Sequence, residues 1–137
     1  MINILIISHC DLTKELIKTT EVIVGKQENI FYIEQNIKDE NLASLQQKIG
    51  EILKKINNES GTLILTDMLG GTPCNASILL SKNFNIEILT GVNLPMILSA
   101  VFASRTAQTA KDLADKVLAD GKKSIVNAKQ MLLERMK

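Results

Sequence analysis

The sequence predicts a three-layer α/β domain built on a mainly parallel sheet. Three observations predict it. Short aliphatic runs, residues 1–7 among them, are apolar at successive positions, as strands buried on both faces are. Longer stretches between them repeat their apolar residues at helical spacing. The two kinds alternate along the chain, which implies βαβ units with right-handed crossovers.

The elements follow in order. Residues 1–7 form the first strand. Residues 12–24 form a helix with Leu16, Ile17, Thr20, Ile23 and Val24 on its stripe, and Gly25 stops it. Residues 29–34, centred on Ile30-Phe31-Tyr32-Ile33, form the second strand. Asp39 suits the N-cap of the next helix. Leu42, Leu45, Ile49, Ile52, Leu53 and Ile56 make that helix's apolar face, and Asn57-Asn58 and Gly61 end it. Residues 62–66 form the third strand. Thr72 and Pro73 suit the N-cap and first position of a third helix that reaches Leu80. Residues 86–89 form the fourth strand and residues 94–103 a buried helix. Residues 107–118 form an amphipathic helix with Leu113, Ala114, Val117 and Leu118 on one side, ended by Gly121. Residues 123–127 read as a short fifth strand, and residues 131–136 as a last turn or helix. With no repeat, linker or low-complexity segment, residues 1–137 read as one domain.

Composition narrows the function. Apolar residues make up 45% of the chain and aromatics only 3%, so the core is aliphatic. Sixteen basic residues face fifteen acidic ones. That balance argues against a general nucleic-acid or membrane-surface binder. Cys10 and Cys74 have no metal-ligand or CxxC spacing and read as reduced thiols of a cytoplasmic protein. The apolar start is short and lacks a basic flank, unlike a signal peptide. No apolar stretch is long enough to span a bilayer. No metal or cofactor is expected.

In open parallel sheets, ligands sit beyond the carboxyl ends of the strands where strand order reverses. With the common order 2-1-3-4, that point lies between the first and third strands. Ser8-His9-Cys10-Asp11 follows the first strand. Thr66-Asp67-Met68-Leu69-Gly70-Gly71-Thr72-Pro73-Cys74-Asn75 includes the end of the third strand and the loop after it. Thr90-Gly91-Val92-Asn93-Leu94-Pro95 follows the fourth. The one histidine and Asp67 therefore share the switch point. A carboxylate on one imidazole nitrogen fixes the tautomer and leaves the other nitrogen as the nucleophile. Gly70 and Gly71 let the backbone approach a phosphate or turn amides toward it. A helix opening at Thr72 aims its positive end at the same place. Ser8 and Asp11 have the spacing of a capping box for the first helix.

Singly, each feature has a plain structural explanation. A histidine after a strand is usually a polar loop residue, Asp67 caps a turn as readily as it orients a ring, and paired glycines usually mark a turn. Their convergence on one point favours chemistry. Other phosphate chemistries fit less well. The chain has no GxxxxGK[ST] and no GxGxxG, no arginine seven residues after Cys10, and no acidic pair after the first strand as a receiver domain would have.

The segments Ile6-Ile7-Ser8-His9, Leu65 to Asn75 and Thr90-Gly91-Val92-Asn93-Leu94-Pro95-Met96 resemble the enzyme IIA domain of the mannose class of the bacterial phosphoenolpyruvate-dependent sugar phosphotransferase system. The resemblance runs from Ile4 to about Val126. It implies a phosphocarrier, a phosphotransferase working through a phosphohistidine at His9. It implies that Asp67 pairs with that ring and that Thr72 lies near the phosphoryl oxygens. The implied donor is the histidine phosphocarrier protein and the implied acceptor an enzyme IIB, with membrane IIC and IID components acting downstream. It also implies a homodimer exchanging a C-terminal strand, for which residues 123–127 are the candidate. With the chain ending at Lys137, IIB is expected on a separate protein. The family often has glycine after the histidine, where this chain has Cys10. Two alternatives share the fold: a phosphotransferase subunit feeding dihydroxyacetone kinase, and a regulatory module in which His9 is only a sensor.

Overall fold

The computed structural model describes residues 1–34 and 41–137. Four parallel strands form one sheet in the order β2-β1-β3-β4. They are β1 (Asn3–Ile7), β2 (Ile30–Tyr32), β3 (Thr62–Thr66) and β4 (Ile86–Leu89). The helices are α1 (Leu12–Val24), α2 (Leu42–Ile56), α3 (Thr72–Leu80), α4 (Leu94–Ala103), α5 (Ala110–Lys123) and α6 (Ala128–Arg135).

The alternation of side chains along β1 and β3 divides the core in two. Ile4, Ile6, Leu63 and Leu65 pack with Ile17 of α1, Ile97 of α4, and Leu113 and Val117 of α5. Leu5, Ile7 and Ile64 pack on the other face with Leu45, Ile49 and Leu53 of α2 and Ala76 and Leu80 of α3. Both central strands are covered on both sides, which is why their sequences read as unbroken apolar runs.

Several predicted boundaries move. β2 keeps only Ile30–Tyr32 of the expected six residues. Asp39 lies outside the described residues. Asn41 caps α2, accepting from Ser44 N while Ser44 Oγ accepts from Asn41 N, a reciprocal capping box. In α3 the cap position belongs to Gly71, and Thr72 is the first helical residue, so the helix starts one place earlier than expected. Asp11 occupies the cap position of α1 but its side chain makes no capping bond, so the Ser8–Asp11 box does not form. Thr109, accepting from Asp112 N at 3.1 Å, starts α5 three residues later than expected.

The C-terminal reading needs the largest correction. Gly121 does not end α5. It lies inside the helix, where a Cβ would fall 2.7 Å from Met96 Cγ of α4. The missing side chain serves close helix packing rather than termination. Lys123 is therefore helical, and residues 124–127 form no strand within this chain. Ile125 and Val126 are 78% and 53% exposed, with no strand beside them to complete a ladder. Asn127 then caps α6, accepting from Gln130 N, and no residue of α6 is buried. Among the described residues, no helix is long and apolar enough to cross a membrane.

Candidate functional site

β1 and β3 lie side by side in register, with Ile7 opposite Thr66. The loops that leave them therefore start together at the carboxyl edge of the sheet. Asp67 is the next residue after β3 and His9 the second after β1. Asp67 Oδ2 accepts from the main-chain N–H of His9 at 2.9 Å and stands 2.6 Å from His9 Nδ1. Asp67 Oδ1 accepts from Met68 N at 3.0 Å. Both carboxylate oxygens are thus engaged.

Burial alone would raise the Asp67 carboxyl. The bonds from the His9 main chain and ring, together with attraction to the ring, outweigh it and hold the group below its ordinary value of 3.8. Asp67 is accordingly an acceptor at neutral pH, and Nδ1 of a neutral His9 ring carries the proton. Nε2 is left with its lone pair. The His9 side chain is 44% exposed and that of Asp67 only 13%. The fixed carboxylate is shielded and the ring it holds is open.

Gly71 sets the other side of the ring. A Cβ built there would fall 2.7 Å from His9 Cε1 and 3.5 Å from Nε2. The imidazole edge rests where a side chain would otherwise stand. Gly71 also occupies the N-cap position of α3, so Nε2 faces the end of a helix that carries unpaired N–H groups and a positive dipole end. Thr72 is the adjacent first residue of α3. Gly70 takes φ +84°, a turn conformation that favours glycine, and its carbonyl accepts from Asn75 Nδ2 at 3.2 Å.

The structure brings together His9, Asp67 and Gly71, with Gly70 shaping the turn and Thr72 next in line. The third sequence segment acts as a buttress. Gly91 N donates to the Asp67 carbonyl and Val92 N to the Thr66 carbonyl, both at 3.0 Å. These bonds tie the β4 loop to the backbone that carries the carboxylate. Asn93 caps α4, accepting from Met96 N at 2.9 Å. Sequence reasoning had no signal for the Gly91–Asp67 bond, because main-chain bonds between loops leave no mark in residue type.

Cys10 is the one non-glycine with positive φ, +53°, among the described residues. This left-handed conformation costs about 1–2 kcal/mol in a residue with a Cβ. Its side chain is exposed, whereas Cys74 is buried, and both thiols are free. A glycine at this place would adopt the turn without strain.

An imidazole held in this way can attack phosphorus through Nε2. A carboxylate so placed can balance positive charge that grows on the ring, and the start of α3 can stabilise an anion beside Nε2. The site is an open face. A cavity of about 530 Å³ between α4 and α5 is lined by Ser99, Phe102, Lys116 and Asp120 rather than by His9. Among the described residues, no group of three or more His, Cys, Asp or Glu side chains is placed to hold a metal ion.

Comparison with known proteins places this arrangement. The family EIIA-man, described as PTS system fructose IIA component, matches residues 3–118. The chain is 30% identical over 136 residues to the PTS system mannose-specific EIIAB component of Escherichia coli (strain K12), covering 98% of this chain and 42% of that protein. It therefore spans less than half the length of that relative. It is 32% identical over 125 residues to the PTS system fructose-specific EIIA component of Bacillus subtilis (strain 168), covering 90% of this chain and 84% of that protein. The phosphotransferase system component EIIA from Streptococcus agalactiae superposes with a TM-score of 0.83 at 28% identity, covering 95% of this chain and 99% of that one. The mannose/sorbose specific IIA subunit from Enterococcus faecalis also gives 0.83, at 26% identity, covering 92% and 93%. With a family match over most of its length, and relatives that agree in sequence and in fold, the chain belongs to the mannose-class IIA components of the sugar phosphotransferase system.

Proposed function

We propose that this chain carries phosphoryl groups on His9 Nε2, accepting each from a histidine phosphocarrier protein and passing it to an enzyme IIB for sugar uptake. The observation that carries the reading is the 2.6 Å approach of His9 Nδ1 to Asp67 Oδ2, with the opposite ring edge against Gly71. It commits one nitrogen to a carboxylate and presents the other at the start of α3. The donor gives up a P–N bond as His9 Nε2 forms one. The Nδ1 proton stays between the ring and Asp67, whose negative charge stabilises the phosphoimidazole. Transfer to IIB reverses these steps on another nucleophile. Gly70, Gly71 and Thr72 provide the backbone and hydroxyl groups nearest the phosphoryl oxygens.

The family match does not favour a kinase-feeding subunit or a sensor module. The working form in this proposal is a cytoplasmic homodimer, and residues 1–137 act as one IIA domain. The exposed Ile125 and Val126 and the unpaired outer edge of β4 support the dimer.

The test is incubation with phosphoenolpyruvate and the general phosphotransferase proteins. The expected product is acid-labile and base-stable, with one phosphoryl group per chain. The sequence contains a single histidine, so no second imidazole competes. His9→Ala folds and accepts nothing. Labelling of that variant would overturn the assignment.

A further inference from the structure

Behind His9 lies a hydroxyl pair that the phosphoryl chemistry does not itself use. Ser8 is 1% exposed and Thr13 2%. Ser8 Oγ accepts from Thr13 N at 2.9 Å and from Thr13 Oγ1 at 2.5 Å, and donates to the His9 carbonyl at 3.3 Å. One donor and two acceptor positions exhaust what a hydroxyl offers. Ser8 thereby closes a short loop, from the end of β1 to the first turn of α1, with His9 and the left-handed Cys10 inside it. Asp11, which holds the formal cap position, contributes no side-chain bond, so Ser8 does the capping from three residues upstream.

We propose that Ser8 and Thr13 are positioning residues that keep His9 in the one backbone geometry where Asp67 Oδ2 receives both its main-chain N–H and its ring. Two bonds from one residue to one oxygen require the His9 backbone and ring to be set together. A loop that contains a left-handed Cys10 relaxes toward commoner conformations unless its surroundings forbid it. The buried hydroxyl pair is what forbids it. When it is removed, Cys10 moves away from positive φ, the His9 N–H turns from Asp67, and the ring samples both tautomers. The consequence for transfer rests on the phosphocarrier reading, but the control of the His9 tautomer does not.

The experiment compares Thr13→Val, which removes the hydroxyl but keeps the N–H, with Thr13→Ser, which keeps both, and with Ser8→Ala. Two measurements are made on each: nitrogen–proton NMR of the His9 ring, and the rate of phosphorylation by the histidine phosphocarrier protein. Wild type and Thr13→Ser should show a single Nδ1–H tautomer. Thr13→Val and Ser8→Ala should show mixed tautomers and a rate lower by about tenfold, the scale of a small misplacement of a reacting group. A single tautomer and normal rate in both, with only a lowered melting temperature, would overturn the proposal and leave the pair a helix cap. Wild type that is never phosphorylated, alongside altered tautomers in the variants, would remove the phosphocarrier reading and leave this one standing.

Discussion

Gly71 and His9 share a space that admits only one of them with a side chain. The ring's Cε1 sits 2.7 Å from the point a Gly71 Cβ would occupy, closer than carbon atoms tolerate. Gly71→Ala must displace the imidazole, because the half-exposed ring has solvent to move into while the backbone of α3 is fixed by its helix. Displacement stretches the bond to Asp67 and moves Nε2 from its place. Phosphorylation should fall by one to two powers of ten, with a melting temperature near that of wild type. Equal rates for both proteins would show that the ring need not rest on Gly71.

In Asp67→Asn one atom replaces Oδ2, which takes both the His9 main-chain N–H and the ring: a carbonyl there keeps both bonds without the charge, and an amide there loses both. An amide that donates to Nδ1 selects the opposite tautomer and moves the proton to Nε2. Where a carboxylate orients a histidine in hydrolysis, this exchange costs about four powers of ten. Here no alcohol needs deprotonating and the donor is already activated. The expected loss is about one to three powers of ten, roughly 1.4 to 4 kcal/mol of barrier. A role limited to turn capping gives the reverse pattern, a stability loss of about 1 kcal/mol with normal transfer. Rate and melting temperature measured on the same sample separate the two.

The depressed Asp67 carboxyl also predicts a pH dependence. The folded state holds its proton more weakly than the unfolded state, whose value is near 3.8. The unfolded state thus binds more protons in that range, and stability rises with pH there. The contribution is complete above the unfolded value and is lost as pH falls through the lower folded one. Denaturant unfolding followed from neutrality to acid should show a shallower acid decline in Asp67→Asn than in wild type. Parallel declines would show that Asp67 titrates alike in both states.

Cys10→Gly relieves a left-handed conformation and returns some chain entropy to the unfolded state. The first effect favours the fold by about 1–2 kcal/mol and the second opposes it by about 0.4–1 kcal/mol. A net gain of up to about 1.6 kcal/mol in unfolding free energy is expected, with transfer unchanged. Cys10→Val, whose branched Cβ suits this conformation poorly, should lose stability and transfer together. Destabilisation by the glycine would mean that the thiol contributes more than its backbone costs.

Removing the chain after Lys123 tests the proposed dimer. The truncation spares α5 and deletes Ile125, Val126 and the whole of α6, of which nothing is buried. If those residues join two copies, light scattering should show dimers for the full chain and monomers for the truncated one. A full chain that is monomeric at high concentration would exclude the dimer.

Much of this was legible in the residues, and the exceptions have physical causes. β3, β4 and α4 match their expected bounds because an aliphatic run, or an Asn-Leu-Pro start, marks each end. His9 and Asp67 were legible because strand order alone brings their loops together. Gly121 misled because a glycine that lets two helices touch looks the same as one that ends a helix. Residues 124–127 misled because two apolar residues suggest a strand, while a strand also needs a neighbour that sequence does not reveal. The contact between Gly71 and the ring was not legible at all. Gly70-Gly71 announces a turn, but only coordinates show that the second glycine makes room for the first loop.

The pairing of β1 with β3 also orders events in time. His9 and Asp67 lie 58 positions apart. During synthesis the histidine is made before its carboxylate, with the segments of α1, β2 and α2 between them. Contacts this distant in sequence are slow to close. A nascent or prematurely terminated chain lacking β3 therefore carries His9 as an imidazole without its Asp67 partner. On the proposed phosphocarrier reading, full competence arrives only with the central strand pair, and an incomplete copy is a poorer acceptor than the finished domain.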